Sequence, residues 1–434
     1  MNFNESRSAA PSAGAKVKMK KFAVLGFGTV GSGVVELFYK NQQKIMKKAG
    51  TDFELAYILD LRDFPDSPYA DKFTKSMDTI LADPDVTVVA ECMGGVEPAF
   101  TYLAQCLDKG ISVATSNKEL IAQKGAELLA KAKAHSCNCY FEASVGGAIP
   151  IIRPLHRCLA ANEISAIYGI LNGTTNYILN KMLTDGMTFE TALKKAQEHG
   201  YAEREPSADV DGHDACRKIC ILSSLVYGKH VYPASVYTKG IREISLEDAA
   251  AADALDGAVK LIAFVKKLDD GRILPAVMPM YVPHENMISR VDGVFNCVEV
   301  CGDAIDRAYF CGRGAGKFPT ASAVMGDVIE AIKHERTVFS QFWEDTGTQD
   351  FIAGIDAMNC GMMIRFEQNY HAAEISEFAS KYLAANGHDN EPVCATDSAC
   401  LISVMLTDSE RNALLDAFQK NGMSVLHWIP AMEA

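Results

Sequence analysis

Lys21-Phe22-Ala23-Val24-Leu25-Gly26-Phe27-Gly28-Thr29-Val30-Gly31 is the stretch of this 434-residue chain from which the fold is read. The first five residues make a short buried strand, and Val34-Val35-Glu36-Leu37-Phe38-Tyr39 opens a helical pattern just beyond. The glycines between strand and helix have separate roles. Gly26 permits a tight turn, Gly28 lets the backbone approach a pyrophosphate, and Gly31 lets helix and strand pack closely. The helix start then offers unpaired N–H groups and positive potential to phosphates. A glycine-rich turn without a ligand is the plainer reading; the place between strand and helix favours a dinucleotide.

The flanking sequence extends the same pattern. A second strand, Phe53 to Leu59, ends at Asp60, an acid placed to accept from an adenosine ribose and favour NAD. Arg62 lies two residues on and suits the 2′-phosphate of NADP instead; both residues could also be solvated loop charges. Val86–Ala90 is a third strand that runs into Glu91-Cys92-Met93-Gly94-Gly95. Its glycines, Gly94 included, sit at a strand's carboxyl end, where open α/β sheets bind ligands. A helix from Pro98 to about Lys109 leads to the strand Ile111–Thr115 and then to Ser116-Asn117-Lys118, which puts Lys118 at the same edge. Strands alternating with helices predict an α/β fold with a parallel, doubly wound sheet.

Composition bounds the rest. The length suits two to four domains at roughly 100–200 residues each. The chain is 48% apolar and 22% charged, ordinary for a globular protein. A net charge of −13 with no long basic run argues against nucleic acid or an anionic membrane as partner. No apolar run approaches the roughly 20 residues of a membrane span. The thirteen cysteines form no CxxC pair and no zinc spacing, so all are expected to be reduced, in a cytoplasmic setting. Residues 1–18 have no continuous apolar segment and read as a flexible tail rather than a secretory signal, with a cleaved organelle-targeting segment as the alternative.

The second half carries the candidate substrate residues. Phe141–Pro150 joins Glu142 to a glycine-rich turn, and Ile170–Tyr177 joins a strand to a small-residue turn and a helix. The densest polar stretch, Gly200 to Lys218, runs into the apolar segment Ile219–Leu225. Asp214 and Lys218 are four apart and share a helix face. On a solvated face they would be a minor ion pair. Here they open an apolar helix among other carboxylates, which places them in a cleft. A lysine tuned by its surroundings can donate a proton to an alkoxide, and neighbouring carboxylates can hold an ammonium group. His213, between them, reads as exposed.

Taken in order, these segments resemble the homoserine dehydrogenase family. The match runs from Lys21 to Ile332 and covers Gly26–Gly31, Glu91–Gly95, Ser116-Asn117-Lys118, Glu142–Pro150, Leu171–Tyr177, Asp209–Lys218 and Gly314-Ala315-Gly316, then Pro319-Thr320-Ala321 and a helix. The resemblance implies the interconversion of L-homoserine and aspartate β-semialdehyde with NAD or NADP. It implies Lys218 as general acid/base and Lys118 as a second active-site lysine. Glu203, Asp209 and Asp214 would orient homoserine, with Gly200 and Thr174 lining its pocket. Phe27, Thr29, Val30 and Gly316 would border the cofactor. Glu142, with the backbone carbonyls of Val145, Gly147 and Ile149, would hold a monovalent cation, typically sodium, and oxygen-only ligation suits such a hard ion. One departure is visible: the family's Glu-Pro-Asp-Pro is Glu203-Arg204-Glu205-Pro206 here, which bears on substrate affinity. The implied plan is a nucleotide domain over 19–150 and about 315–345, a substrate and dimerisation domain with a mixed sheet over 151–314, and a homodimer or homotetramer.

From about Asn359 the pattern is strand Cys360–Phe366, helix Ala372–Ala385, strands Pro392–Ala395 and Cys400–Leu406, helix Asp408–Asn421 and strand Ser424–Ile429. This βαββαβ order over 359–434 resembles the ACT regulatory domain. Its first loop, Glu367-Gln368-Asn369-Tyr370-His371, lacks the glycine common in effector-binding loops, so regulation and plain oligomerisation both stay open. Two rival functions are another nicotinamide oxidoreductase on this scaffold and a non-catalytic sensor; retention of both Lys118 and Lys218 argues against the sensor.

Overall fold

The strand that opens at Lys20 lies inside a six-stranded sheet, in a computed structural model that describes residues 19–335, 337–339, 343–389 and 391–433. The expected tail, 1–18, lies outside the described residues, as do 336 and 340–342 of the expected return segment. Strands β1 (Lys20–Leu25), β2 (Phe53–Leu59), β3 (Phe73–Thr74), β4 (Val86–Glu91), β5 (Ser112–Thr115) and β6 (Cys139–Tyr140) take the order β3-β2-β1-β4-β5-β6. Every pairing is parallel. This is the doubly wound order in which the chain reverses direction beside β1. Phe22, Ala23, Val24 and Leu25 are fully buried because helices cover both faces.

The helix Thr29–Ala49 follows β1 directly and ends at Gly50, whose left-handed φ of 76° turns the chain after Lys47 and Lys48. Those lysines complement the negative end of the helix. The helix Lys317–Lys333, far along the chain, lies against it. Val324, Val328 and Ile332 share one core with Phe22, Val24, Val34, Val35 and Phe38.

A second sheet has ten strands. It contains β7 (Ile164–Ile170), β8 (Tyr237–Thr238), β9 (Gly257–Lys267), β10 (Ile273–Pro283), β11 (Phe295–Gly302) and β12 (Asp306–Arg313). It continues into β13 (Cys360–Phe366), β14 (Val393–Ala395), β15 (Ala399–Leu406) and β16 (Val425–Ala431). The order is β12-β11-β7-β9-β10-β16-β13-β15-β14, with β8 on β10. The sheet is mixed: β10 pairs parallel with β8 and β16 and antiparallel with β9. The C-terminal strands, interleaved with helices Ala372–Ala385 and Asp408–Lys420, run βαββαβ with β13 flanked by β16 and β15. Their core holds Met362, Ile364, Ile375, Leu383, Leu414 and Phe418. They are joined to the preceding sheet where Met432 N donates to the Tyr281 carbonyl at 2.8 Å. A buried ion pair reinforces the junction: Asp248, on helix Leu246–Ala254, meets Arg365 Nε at 2.7 Å.

One expectation is corrected. The cysteines are not all reduced: Cys297 and Cys311 form a disulfide. The register sets them directly opposite on β11 and β12, with Cα atoms 4.1 Å apart, a proximity that composition cannot reveal. Among the described residues, no helix is long and apolar enough to cross a membrane.

Candidate active site

Two consecutive residues at the end of β7 gather the polar groups of the substrate half. Leu171 and Asn172 lead from the strand into helix Gly173–Asp185. Facing them is helix His213–Tyr227, which starts after Gly212, a residue held at φ 85° and so suited to glycine. Its first two turns bury both Asp214 and Lys218, 3% and 7% exposed. Lys218 Nζ donates to the Leu171 carbonyl at 2.7 Å and to Asp214 Oδ2 at 2.7 Å. Lys118, the first residue of helix Lys118–Ala134, pairs with the other oxygen, Asp214 Oδ1. Asn172 Nδ2 donates to Asp214 Oδ2 at 2.9 Å and to Asp209 Oδ1 at 2.6 Å. One carboxylate thus bridges two lysines, and one amide bridges two carboxylates.

The charges shape one another. Burial works against the Asp214 anion, but Lys218 and Lys118 outweigh it and hold its carboxyl far below the usual range. Burial pushes the Lys218 ammonium down from the ordinary lysine value, with Asp214 opposing. Burial works in the same direction on Lys118, yet the Asp214 charge prevails and its pKa is raised. Asp209 is raised by burial and by the neighbouring Asp214. The cluster therefore presents a destabilised ammonium beside a second, firmly charged one. It can hold a cationic group at its carboxylates and exchange a proton at Lys218.

The other expected substrate residues lie on segments next in the chain to those of the cluster. Thr174 Oγ1 donates to the Tyr201 carbonyl at 2.7 Å, which ties the helix start to the turn containing Gly200. Gly200 has a φ of 72° and ends the helix Phe189–Glu198. Glu203 is exposed, and its backbone carbonyl accepts from Gln197 Nε2 at 3.0 Å. Arg204 is exposed beside it, and so is His213.

The sheet's carboxyl edge supplies the nucleotide side. Gly26 N donates to the Leu59 carbonyl at 2.8 Å, and Gly26 takes a φ of 88°. A side chain at Gly31 would collide with the Gly26 carbonyl, while one at Gly28 would meet nothing within 4 Å. Gly28 thus faces open space at the start of the helix that carries Thr29 and Val30, with no side-chain cap on its N–H groups. Gly94 stands across the gap at φ 90°, and Gly316 at φ 124° precedes helix Lys317–Lys333. Asp60 and Arg62 pair with each other. Arg62 Nε donates to Asp60 Oδ1 at 3.0 Å, and Asp60 Oδ2 accepts from Phe27 N at 2.8 Å. Hydrogen bonds from Arg62 lower the Asp60 carboxyl strongly. A cleft of about 410 Å³ opens here, lined by Asp60, Arg62, Phe64, Phe73 and Lys75 among others.

The Glu142 carboxylate is engaged by the main chain of its own loop. Its carboxylate accepts from Ile151 N at 2.7 Å, Ile152 N at 2.9 Å and Arg153 N at 2.9 Å. Its own N–H donates to Asp327 Oδ2 at 2.9 Å, on helix Lys317–Lys333. The carboxylate thus helps to fold the loop. The carbonyl oxygens of Val145, Gly147 and Ile149, all on buried residues, meet no hydrogen-bond donor among the described residues. A side chain at Gly147 would strike the Gly314 carbonyl, so this loop lies directly against the Gly314–Gly316 turn. No cluster of three or more acidic, histidine or cysteine ligands occurs among the described residues.

Three residues that organise the site were not singled out in the sequence. Asn172 lies there in a small-residue turn that plain turn chemistry explains. Asp327 reads as one polar residue in a helix. Glu91 lies in a quoted segment, yet its buried carboxylate accepts from Met93 N at 2.7 Å, from Gly94 N at 3.2 Å and from Thr115 Oγ1. An acid ending an otherwise apolar strand was the available signal for it.

Comparison with known proteins agrees with this geometry. Residues 26–142 match the family model described as homoserine dehydrogenase, NAD binding domain, and residues 150–329 match the homoserine dehydrogenase model. The homoserine dehydrogenase of Bacillus subtilis is 40% identical over 324 residues, 74% of this chain and 74% of that protein. That of Synechocystis is 41% identical over 320 residues, 72% and 73% of the two chains. Among solved structures, a homoserine dehydrogenase from Thiobacillus denitrificans superposes with a TM-score of 0.83 at 29% identity, covering 96% of this chain and 99% of that one. A hyperthermophilic archaeal homoserine dehydrogenase in complex with NADPH gives 0.60 at 28% identity, covering 72% and 97%.

Proposed function

This chain belongs to the homoserine dehydrogenase family, and on that premise we propose how its residues divide the work of the reaction. The enzyme is an NAD(P)-dependent oxidoreductase that interconverts L-homoserine and L-aspartate 4-semialdehyde. The bound cofactor supplies a hydride to the aldehyde carbon, or takes one from the alcohol carbon in reverse. Lys218 gives a proton to the forming alkoxide and recovers it in the other direction. Burial favours this, since it makes the ammonium a readier donor. Lys118, held by Asp214, stays charged and steadies the developing oxyanion. Asp209 and Asp214 take the substrate ammonium, with Glu203 closing from the exposed loop and Thr174 and Gly200 forming the wall. The observation that carries this reading is the Lys118–Asp214–Lys218 bridge at the carboxyl edge of the nucleotide sheet.

The residues at the first turn fit a dinucleotide: the open face of Gly28 and the uncapped N–H groups after it suit a pyrophosphate, flanked by Phe27, Thr29, Val30, Gly94 and Gly316. The cleft beside Asp60 and Arg62 takes the adenosine end. Glu142, with the donor-free carbonyls of 145, 147 and 149, would hold a monovalent cation such as sodium through oxygen ligands alone. The C-terminal βαββαβ unit is ACT-like and serves regulation or assembly of a homodimer or homotetramer in the cytoplasm. The test is turnover of L-homoserine, compared with other hydroxy amino acids, using NAD and NADP in separate runs. Preference for homoserine supports the assignment; equal or better use of another hydroxy amino acid refutes it.

A further inference from the structure

We infer that Asn172 is a positioning residue of the reaction: its side-chain amide sets the two substrate-side carboxylates and, through Asp214, the lysine that moves the proton. The inference rests on the division of roles proposed above.

Asn172 is 5% exposed and its orientation is fixed from both ends. Its Oδ1 accepts from Thr175 N at 2.9 Å and Thr175 Oγ1 at 3.0 Å, which caps helix Gly173–Asp185. The amide nitrogen must therefore face away from the helix. There it meets Asp209, 37 residues away in sequence, and Asp214, 42 away. A flipped amide would set an oxygen against two carboxylates and leave the Thr175 N–H without its acceptor. Both N–H bonds of the amide are thus committed to the two acids.

The placement solves an electrostatic problem. Asp209 and Asp214 repel one another, and burial together with that repulsion raises the Asp209 pKa. A neutral donor between them lets both stay anionic without adding a third lysine-like charge. Asp214 Oδ2 receives Asn172 and Lys218 together, so the carboxylate plane is fixed while its other oxygen pairs with Lys118. Lys218 spends one N–H on Asp214 and one on the carbonyl of Leu171, the residue before Asn172. An ammonium has three, and the third is the one free to reach the substrate oxygen. Three charged elements face the amide region. Helix His213–Tyr227 contributes Asp214, Arg217 and Lys218; helix Lys118–Ala134 contributes Lys118 and Glu119; the turn Ser207–Val210 contributes Asp209.

Two substitutions separate this role from helix capping. Serine and aspartate both cap helices well, so N172S and N172D retain the acceptor that Thr175 needs. N172S removes both donors. N172D removes them and adds a charge. The expected result is a loss of kcat of about 10²-fold in both, as for a small misplacement of reacting groups. The acid limb of the kcat/KM profile moves to higher pH in both, because Asp209 loses a bond to its charged form. In N172D the alkaline limb also moves up, since a third anion favours the lysine ammoniums. In N172S, melting temperature and NADPH affinity, followed by nicotinamide fluorescence, stay near wild type. Wild-type kcat and unshifted limbs in both variants overturn the inference, as does a loss of activity that only tracks a loss of folded protein in both. If the unaltered enzyme fails to oxidise homoserine, the proposed function itself falls instead.

Discussion

Lys218 and Asp214 form a buried ion pair one helical turn apart, with Nζ 2.7 Å from Oδ2. The acid that stabilises the ammonium is the same one that neutralises Lys118 from its opposite oxygen. Lys218, Asp214 and Lys118 are therefore held together by two helices and the end of a strand.

Asp209 is the more readily protonated of the two acids proposed to hold the substrate. Its carboxyl titrates above the usual value of about 3.9. As pH falls it is protonated before an ordinary aspartate, and its hold on a substrate ammonium weakens. KM for homoserine should rise on the acid side while kcat changes less. Asp209→Asn should raise KM by about 10- to 100-fold, the loss of one charge-assisted hydrogen bond, and abolish that part of the pH dependence. Steady-state kinetics across pH check both.

The two later glycines of the first turn should fail in different ways. Gly28 has room for a methyl group and an extended backbone, so Gly28→Ala should fold normally and bind the cofactor at least about tenfold more weakly, the equivalent of about 1.4 kcal/mol. Gly31→Ala drives a methyl into the Gly26 carbonyl and should cost about 1–3 kcal/mol of stability. Thermal melts and cofactor titration separate the two outcomes.

Arg62 is bound to Asp60 and largely exposed, on the rim of the cleft proposed to take the adenosine end. Arg62→Ala removes a partner for a 2′-phosphate and frees Asp60 for a ribose hydroxyl. The ratio of kcat/KM for NADP to that for NAD should fall, by about tenfold or more if one charge-assisted contact is lost. An unchanged or increased ratio would remove Arg62 from cofactor selection.

Asp248 ties the C-terminal unit to the body. Burial opposes its charge, but His427, the Ser245 N–H and Arg365 outweigh it and bring its pKa down to about 2. A depressed carboxyl stabilises the fold above its unfolded value of about 3.9, and that stabilisation is lost as pH falls toward the folded value. Asp248→Asn should cost about 3 kcal/mol at neutral pH by leaving Arg365 short of its counter-charge. The difference from wild type should shrink near pH 2, as chemical denaturation at both pH values will report.

Much of the nucleotide half was legible because its signals are local. Strand β2 lies where its apolar run ends, at Leu59, and the turn from Gly26 to Gly31 carries its own conformational requirements. The spacing of Asp214 and Lys218 was likewise readable from helical periodicity. What escaped depends on contacts between distant segments. Asn172 reaches Asp209 and Asp214 only once β7 and helix His213–Tyr227 are apposed. Asp327 finds the Glu142 N–H across 185 residues. Cys297 and Cys311 meet through hairpin register. The junction of β10 with β16 makes one sheet of what the sequence presents as two units. Short β3, two residues long, exists only because β2 offers it an edge.

The central claim is that Lys218 exchanges the proton. It is tested most directly by following formation of reduced nicotinamide from L-homoserine in the unaltered enzyme and in Lys218→Ala, with cofactor binding measured in both. Homoserine-dependent reduction should fall by about 10²- to 10⁴-fold in the variant, while cofactor affinity holds. Near-normal turnover by a folded Lys218→Ala enzyme would contradict it.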